Sequence, residues 1–129
     1  MQRTSCVEIN GKKFSLNFSV GAWIELEEKY DDVNSLVKSI VPDDRNYFET
    51  GLMRKVVEIA SVLMRYGYER DRLFNIEADA PYGASELLAV LTKLEYVELY
   101  AAVLNAIQTG QKRTVEAEPP KKAKATPGK

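Results

Sequence analysis

The sequence predicts a mainly α fold in which a small N-terminal β-hairpin packs on a bundle of about four to five helices. Three observations carry this. Val7 and Ile9, then Phe14, Leu16 and Phe18, alternate with polar neighbours around Asn10-Gly11, the period of two that marks strands with one apolar face. From Ser19 onward the apolar residues recur at helical spacing instead. The chain has 129 residues, 45% apolar and 29% charged, the proportions of a single soluble domain.

Asn-Gly supplies the two positive φ values of a type I′ turn, so the hairpin is expected at residues 6–18. A hairpin alone is marginal in water, and its apolar face must therefore lie on the helices that follow. Ser19 is placed to cap a first helix ending near Tyr30, with Val20, Trp23, Ile24 and Leu26 along one stripe. Asp31-Asp32 starts a short second helix carrying Val33, Leu36, Val37, Ile40 and Val41, which Pro42 stops.

Asp43-Asp44-Arg45-Asn46 opens a third, longer helix, in which Phe48, Leu52, Val56, Ile59, Ala60 and Leu63 form part of a wide apolar arc. Such an arc belongs to a central helix. Its end is expected at Gly67, in the left-handed conformation after a last turn. A polar connection containing Arg70, Asp71 and Arg72 then leads through Ala80-Pro81-Tyr82-Gly83 to a short helix capped by Ser85. Thr92-Lys93-Leu94-Glu95 has the form of a capping box and starts the last helix, expected to end at Gly110. Its stripe is read as Leu94, Val97, Ala101 and Leu104, with Tyr96, Tyr100, Val103 and Ile107 beside it.

Charge divides the chain at that glycine. Residues 1–110 hold 12 Lys and Arg against 17 Asp and Glu, a net of −5, whereas residues 111–129 hold 6 against 2, a net of +4. The second segment has Val115 as its one large apolar residue, with three prolines, and is expected to be disordered because it cannot bury enough surface to offset ordering. The expected organisation is thus one globular domain, 1–110, and a basic tail, 111–129.

Composition excludes much chemistry. The chain contains no histidine and one cysteine, Cys6, which removes Ser-His-Asp and Cys-His catalysis, imidazole-bound zinc, an intramolecular disulfide and Cys-x-x-Cys redox work. Cys6 is expected to be a small apolar residue of the hairpin. The acidic pairs Asp31-Asp32 and Asp43-Asp44 lack the alternating ligands and sixth-position glycine of a calcium loop and read as helix N-termini. No GxGxxG or Walker A pattern occurs among the seven glycines. No enzyme, no metal and no cofactor are expected. A net charge of −1 gives no field for nucleic acid, and no stretch approaches the roughly 18 apolar residues of a membrane span. Without an apolar leader after Met1, the expected location is cytoplasmic.

Aromatic residues remain in surplus. Tyr96, Leu99, Tyr100 and Val103 of the last helix are the candidates for a partner surface, because that helix carries apolar residues on more than one side. Self-association through the helical body is expected for the same reason. Lys121, Lys122 and Lys124 are the candidates in the tail, which reads as a solubilising segment or a tether to an acidic partner rather than a nucleic-acid site.

The run Val7-Glu8-Ile9-Asn10-Gly11-Lys12-Lys13-Phe14-Ser15-Leu16-Asn17-Phe18-Ser19, leading into Ala22-Trp23-Ile24-Glu25-Leu26-Glu27-Glu28-Lys29-Tyr30, resembles the start of the tail assembly chaperones of long-tailed bacteriophages and prophages. The helical middle, a late capped helix ending Leu104-Asn105-Ala106-Ile107-Gln108-Thr109-Gly110 and a Pro- and Lys-containing tail extend the resemblance over nearly the whole chain. It implies a non-enzymatic protein of the infected host's cytoplasm, absent from the mature virion, that coats the tape measure protein and recruits tail tube subunits. It also implies a second, longer product made by a ribosomal slip near the end of the reading frame. The alternatives are a structural tail or connector subunit and a helical regulatory or adaptor protein.

Overall fold

The two strands pair as the turn chemistry requires. In the computed structural model, which describes residues 5–30, 32–41 and 46–116 with side chains through residue 110, β1 (Ser5–Ile9) and β2 (Lys12–Leu16) are antiparallel, with Val7 opposite Phe14 and Ile9 opposite Lys12. Asn10 and Gly11 take φ of 53° and 79°, the left-handed values the turn needs. One face, formed by Val7, Ile9, Phe14 and Leu16, is buried. Cys6 belongs to the other face of the hairpin and is exposed, where the strand's own alternation puts it.

Five helices follow, in the mainly α arrangement expected: α1 (Val20–Lys29), α2 (Val33–Ser39), α3 (Thr50–Leu73), α4 (Ala84–Val90) and α5 (Lys93–Glu116). The hairpin lies across α3 and α5, and the core fills the space between them with Ile9, Leu16, Ile59, Leu63, Leu99 and Ile107. Ser19 caps α1, its hydroxyl accepting from the Ala22 amide at 3.2 Å, and Asp32 caps α2 through the Ser35 amide at 2.8 Å.

Helix α1 turns a different face inward from the one expected. Ala22 and Leu26 are buried, whereas Val20, Trp23 and Ile24 are exposed. The cause is close approach through the smallest residues, since a Cβ on Gly21 would stand 2.6 Å from the Tyr66 ring. The larger side chains are left outside.

Helix α3 is displaced toward the C-terminus relative to expectation. It begins after Glu49, whose carboxylate accepts from the Leu52 amide at 2.8 Å, and it passes straight through Gly67 to Leu73, taking in Arg70, Asp71 and Arg72. Phe48 therefore precedes the helix. Gly67 is a notch rather than a stop: the β2 backbone crosses there, and a Cβ would lie 2.0 Å from the Ser15 carbonyl oxygen. The left-handed residue at the true end is Asn75, with φ 58°. Asp71, 6% exposed, accepts from the Ser15 hydroxyl at 2.9 Å and so ties α3 to β2.

Gly110 repeats the device. A Cβ there would meet the Phe18 ring at 2.7 Å and the Phe18 carbonyl oxygen at 2.9 Å, and α5 continues past it to Glu116. The helical body thus crosses the boundary drawn at residue 110. The rest of the tail, 117–129, lies outside the described residues, together with Lys121, Lys122 and Lys124. Helix α4 starts one residue before Ser85, with Gly83 at the cap position and the Glu86 carboxylate accepting its amide at 2.8 Å.

Candidate interaction surface

The capping box at the start of α5 sets the rotation of that helix. Thr92 Oγ1 accepts from the Glu95 amide at 3.3 Å, and Glu95 Oε1 accepts from the Thr92 amide at 3.1 Å. The second carboxylate oxygen of Glu95 accepts from the Asn10 amide in the hairpin turn at 3.0 Å. These amides, Asn10 first, hold the Glu95 carboxyl below its ordinary range. One side chain thus closes its own helix and fixes it against β1–β2.

With α5 held in this way, the four helical residues expected to face a partner go to the core instead. Tyr96, Leu99 and Val103 are buried and Tyr100 is half-buried. The physical reason lies in the phenol groups. Tyr96 donates to the Tyr47 carbonyl at 2.9 Å and Tyr100 to the Ile40 carbonyl at 2.6 Å, which allows both rings to be sequestered with their hydroxyls satisfied. Burial pushes Tyr96 up to about 12, with the Tyr100 charge adding to the effect, and burial likewise raises Tyr100. Of the stripe read from sequence, Leu94 is 67% and Val97 45% exposed and Ala101 is exposed as well, whereas Leu104 packs partly buried against the core.

The exposed part of that stripe borders two adjoining apolar depressions. The larger, about 370 Å³, lies between the first half of α3, α4 and the start of α5, with Phe48, Met53, Val57, Leu88, Leu91 and Tyr96 in its lining. The second, about 240 Å³, lies on the far side of Phe48 and is lined by Tyr47, Val97, Tyr100 and Ala101 together with the shared Phe48 and Tyr96. Phe48 stands against Tyr96 at 5.7 Å between ring centroids, and Tyr47 against Tyr100 at 5.3 Å. The polar lining of the larger depression comprises Thr50, Thr92 and two cations. Lys93 Nζ sits 4.8 Å from the Phe48 ring centroid, Arg54 stands on the wall, and among the described residues no carboxylate lines either depression.

Arg54 and Leu88 were not among the residues singled out from sequence; Phe48 was read as part of the third helix's apolar arc and Lys93 as part of the capping box. A signal for Phe48 exists: with Met53 it flanks the Glu49 cap at the N′ and N4 positions of a hydrophobic staple, and both line the larger depression. Leu88 carries no such mark, being 48% exposed on a short helix whose burial depends wholly on its neighbours.

Elsewhere the polar side chains serve the fold. Arg65 forms a two-pronged pair with Glu25 at 3.1 and 2.6 Å, and Tyr66 also donates to that carboxylate at 3.2 Å. The Arg65 contact chiefly holds the Glu25 carboxyl below its usual range. Tyr30 donates to Glu58, and burial followed by the Glu58 contact raises its phenol well above the ordinary value. Among the described residues no group of three or more His, Cys, Asp or Glu could hold a metal ion, and no helix is long and apolar enough to cross a membrane. Asp31, Asp43 and Asp44 lie outside the described residues. No protein-family model, no curated protein and no solved structure matches the chain.

Proposed function

We propose that the chain is a non-enzymatic assembly factor of the phage tail chaperone type, which binds the tape measure protein, recruits tail tube subunits and self-associates along the tape measure in the host bacterial cytoplasm. The observation that supports an interaction role is the paired apolar depression around Phe48, with Leu88, Leu94 and Val97 exposed at 48%, 67% and 45%. Apolar surface of this kind, cation-rimmed, fits an amphipathic helix better than a small polar substrate. The resemblance of residues 7–30 to the opening of tail assembly chaperones supports the particular partner.

A tape measure protein is long and helical, with apolar stripes that lack cover until the tube closes around it, so a factor that covers such stripes keeps it in solution. Co-expression of the tape measure protein from the same genome, with and without this chain, tests the reading. The expected outcome is a soluble complex that elutes together when the chain is present, and an insoluble tape measure protein when it is absent. Equal solubility in both cases, with no co-elution, overturns it.

A further inference from the structure

Between the end of α1, one face of α2 and the first half of α3 lies a polar depression of about 310 Å³, lined by Lys29, Tyr30, Ser35, Leu36, Ser39 and Lys55. It shares no residue with the depressions around Phe48. Two cations line it, and among the described residues no carboxylate does.

The acids of the neighbouring turns are already engaged. Glu58 accepts from the Tyr30 phenol, Glu25 is held by Arg65 and Tyr66, Glu27 accepts from the Val33 amide at 3.1 Å and Asp32 from the Ser35 amide. Lys29 acts on Glu25 through its field alone, and among the described residues neither Lys29 nor Lys55 forms an ion pair. Lys55 is fixed all the same: its ammonium donates to Ser39 Oγ at 3.2 Å and stands 5.8 Å from the centroid of the Tyr30 ring. The Ser39 hydroxyl in turn donates to the Leu36 carbonyl at 2.7 Å, so it offers its lone pairs to Lys55 and holds the cation without neutralising it. An ammonium has three donors. One of those on Lys55 is used here, and no bond within the described fold uses the others or those of Lys29.

Two like charges turned to one concave site repel each other, and an anion between them relieves this. The charges match a dianion, and compact ammonium groups suit a tetrahedral phosphate, whereas a planar carboxylate is better met by a guanidinium fork. The volume lies at the lower end of the roughly 300–1,000 Å³ of small-molecule clefts, which leaves room for a group attached to the phosphate. The Tyr30 ring and Leu36 supply an apolar wall for it.

We infer that this depression binds a phosphate dianion, free or as the head of a phosphomonoester, with Lys29 and Lys55 as the charged contacts and Ser39 positioning Lys55. The site goes beyond the proposed function: it takes a small anion and is tested without tape measure protein.

The test follows amide NMR spectra of the full chain as inorganic phosphate or phenyl phosphate is added at constant ionic strength. Saturable shifts centred on Lys29, Tyr30, residues 35–39 and Lys55 are expected with either probe. Tighter binding of phenyl phosphate assigns the site to a phosphomonoester, and equal or tighter binding of inorganic phosphate assigns it to the free anion. Lys29→Gln and Lys55→Gln are each expected to weaken binding about tenfold or more, whereas Lys12→Gln, which removes the same charge from the hairpin, leaves it unchanged. Lys29 is exposed, so its variant decides if Lys55→Gln fails to fold. Shifts that never saturate or that spread over the whole surface overturn the site, as does equal weakening in all three variants.

Discussion

The carbonyl oxygen of Ser15 occupies the space beside Gly67, 2.0 Å from where a Cβ on that glycine would stand. The neighbouring backbone is held there by a second bond, in which the Asn17 amide donates to the Leu63 carbonyl at 3.0 Å. Strand β2 therefore lies directly on the backbone of α3, with the Ser15 hydroxyl anchored on Asp71. This is the joint on which the hairpin sits.

Substituting Gly67→Ala is expected to destabilise the fold by about 3 kcal/mol or more, because neither backbone can withdraw without breaking its own hydrogen bonds. Gly51→Ala is the contrast. Its Cβ would meet only the flexible Glu49 carboxylate at 3.2 Å, and alanine's helix propensity favours it by up to about 1 kcal/mol. Urea denaturation of both variants checks the pair; equal midpoints would contradict the notch.

The same glycines show why helix ends were harder to read than helices. Every element was legible from pattern: Asn10-Gly11 marked the turn, Ser19 and Asp32 the caps, and Thr92 with Glu95 the capping box. Gly67 and Gly110 carried the ordinary signature of a helix stop, but each serves a close crossing by a segment far away in sequence, at Ser15 and Phe18. Helix faces failed for a related reason. In α1 and α5 two apolar stripes compete, and the choice rests on tertiary facts: the small Gly21 and Ala22 admit Tyr66 and α3, and the carbonyls of Tyr47 and Ile40 satisfy Tyr96 and Tyr100. Of the four α5 residues taken from sequence as a partner surface, Tyr96 and Tyr100 edge the depressions around Phe48, whereas Leu99 and Val103 lie in the core. Phe48, Arg54 and Leu88 come from other segments that only folding brings together.

A pair of truncations on α5 separates the two stripes. Leu99→Ala is expected to cost about 3 kcal/mol, since the side chain is fully buried and its removal leaves a cavity. Val97→Ala is expected to cost about 0.5 kcal/mol or less, as an exposed residue away from any cap or network. Thermal melts of the two variants decide; comparable losses would mean that the helix is rotated from the orientation described.

Glu95 gives the fold a defined acid sensitivity. Its carboxyl is lowered in the folded state by the Asn10 and Thr92 amides, from an ordinary value of 4.5. A depressed carboxylate contributes stability that is fully present above the unfolded value and disappears as pH falls through the folded one. Glu95→Gln is therefore expected to lower stability at pH 7 and to approach the unmodified chain as pH drops below about 4.5. Denaturation midpoints measured from neutral to acid pH read this out, and curves that stay parallel would remove the clamp between Glu95 and the turn.

The central claim is that this fold serves assembly and is not itself built into the particle. Quantitative mass spectrometry of purified virions, set against the lysate that produced them, tests it most directly. The account predicts the chain in the lysate, associated with tape measure protein, and absent from finished particles. A fixed copy number per virion would contradict it and identify a structural tail or connector subunit instead.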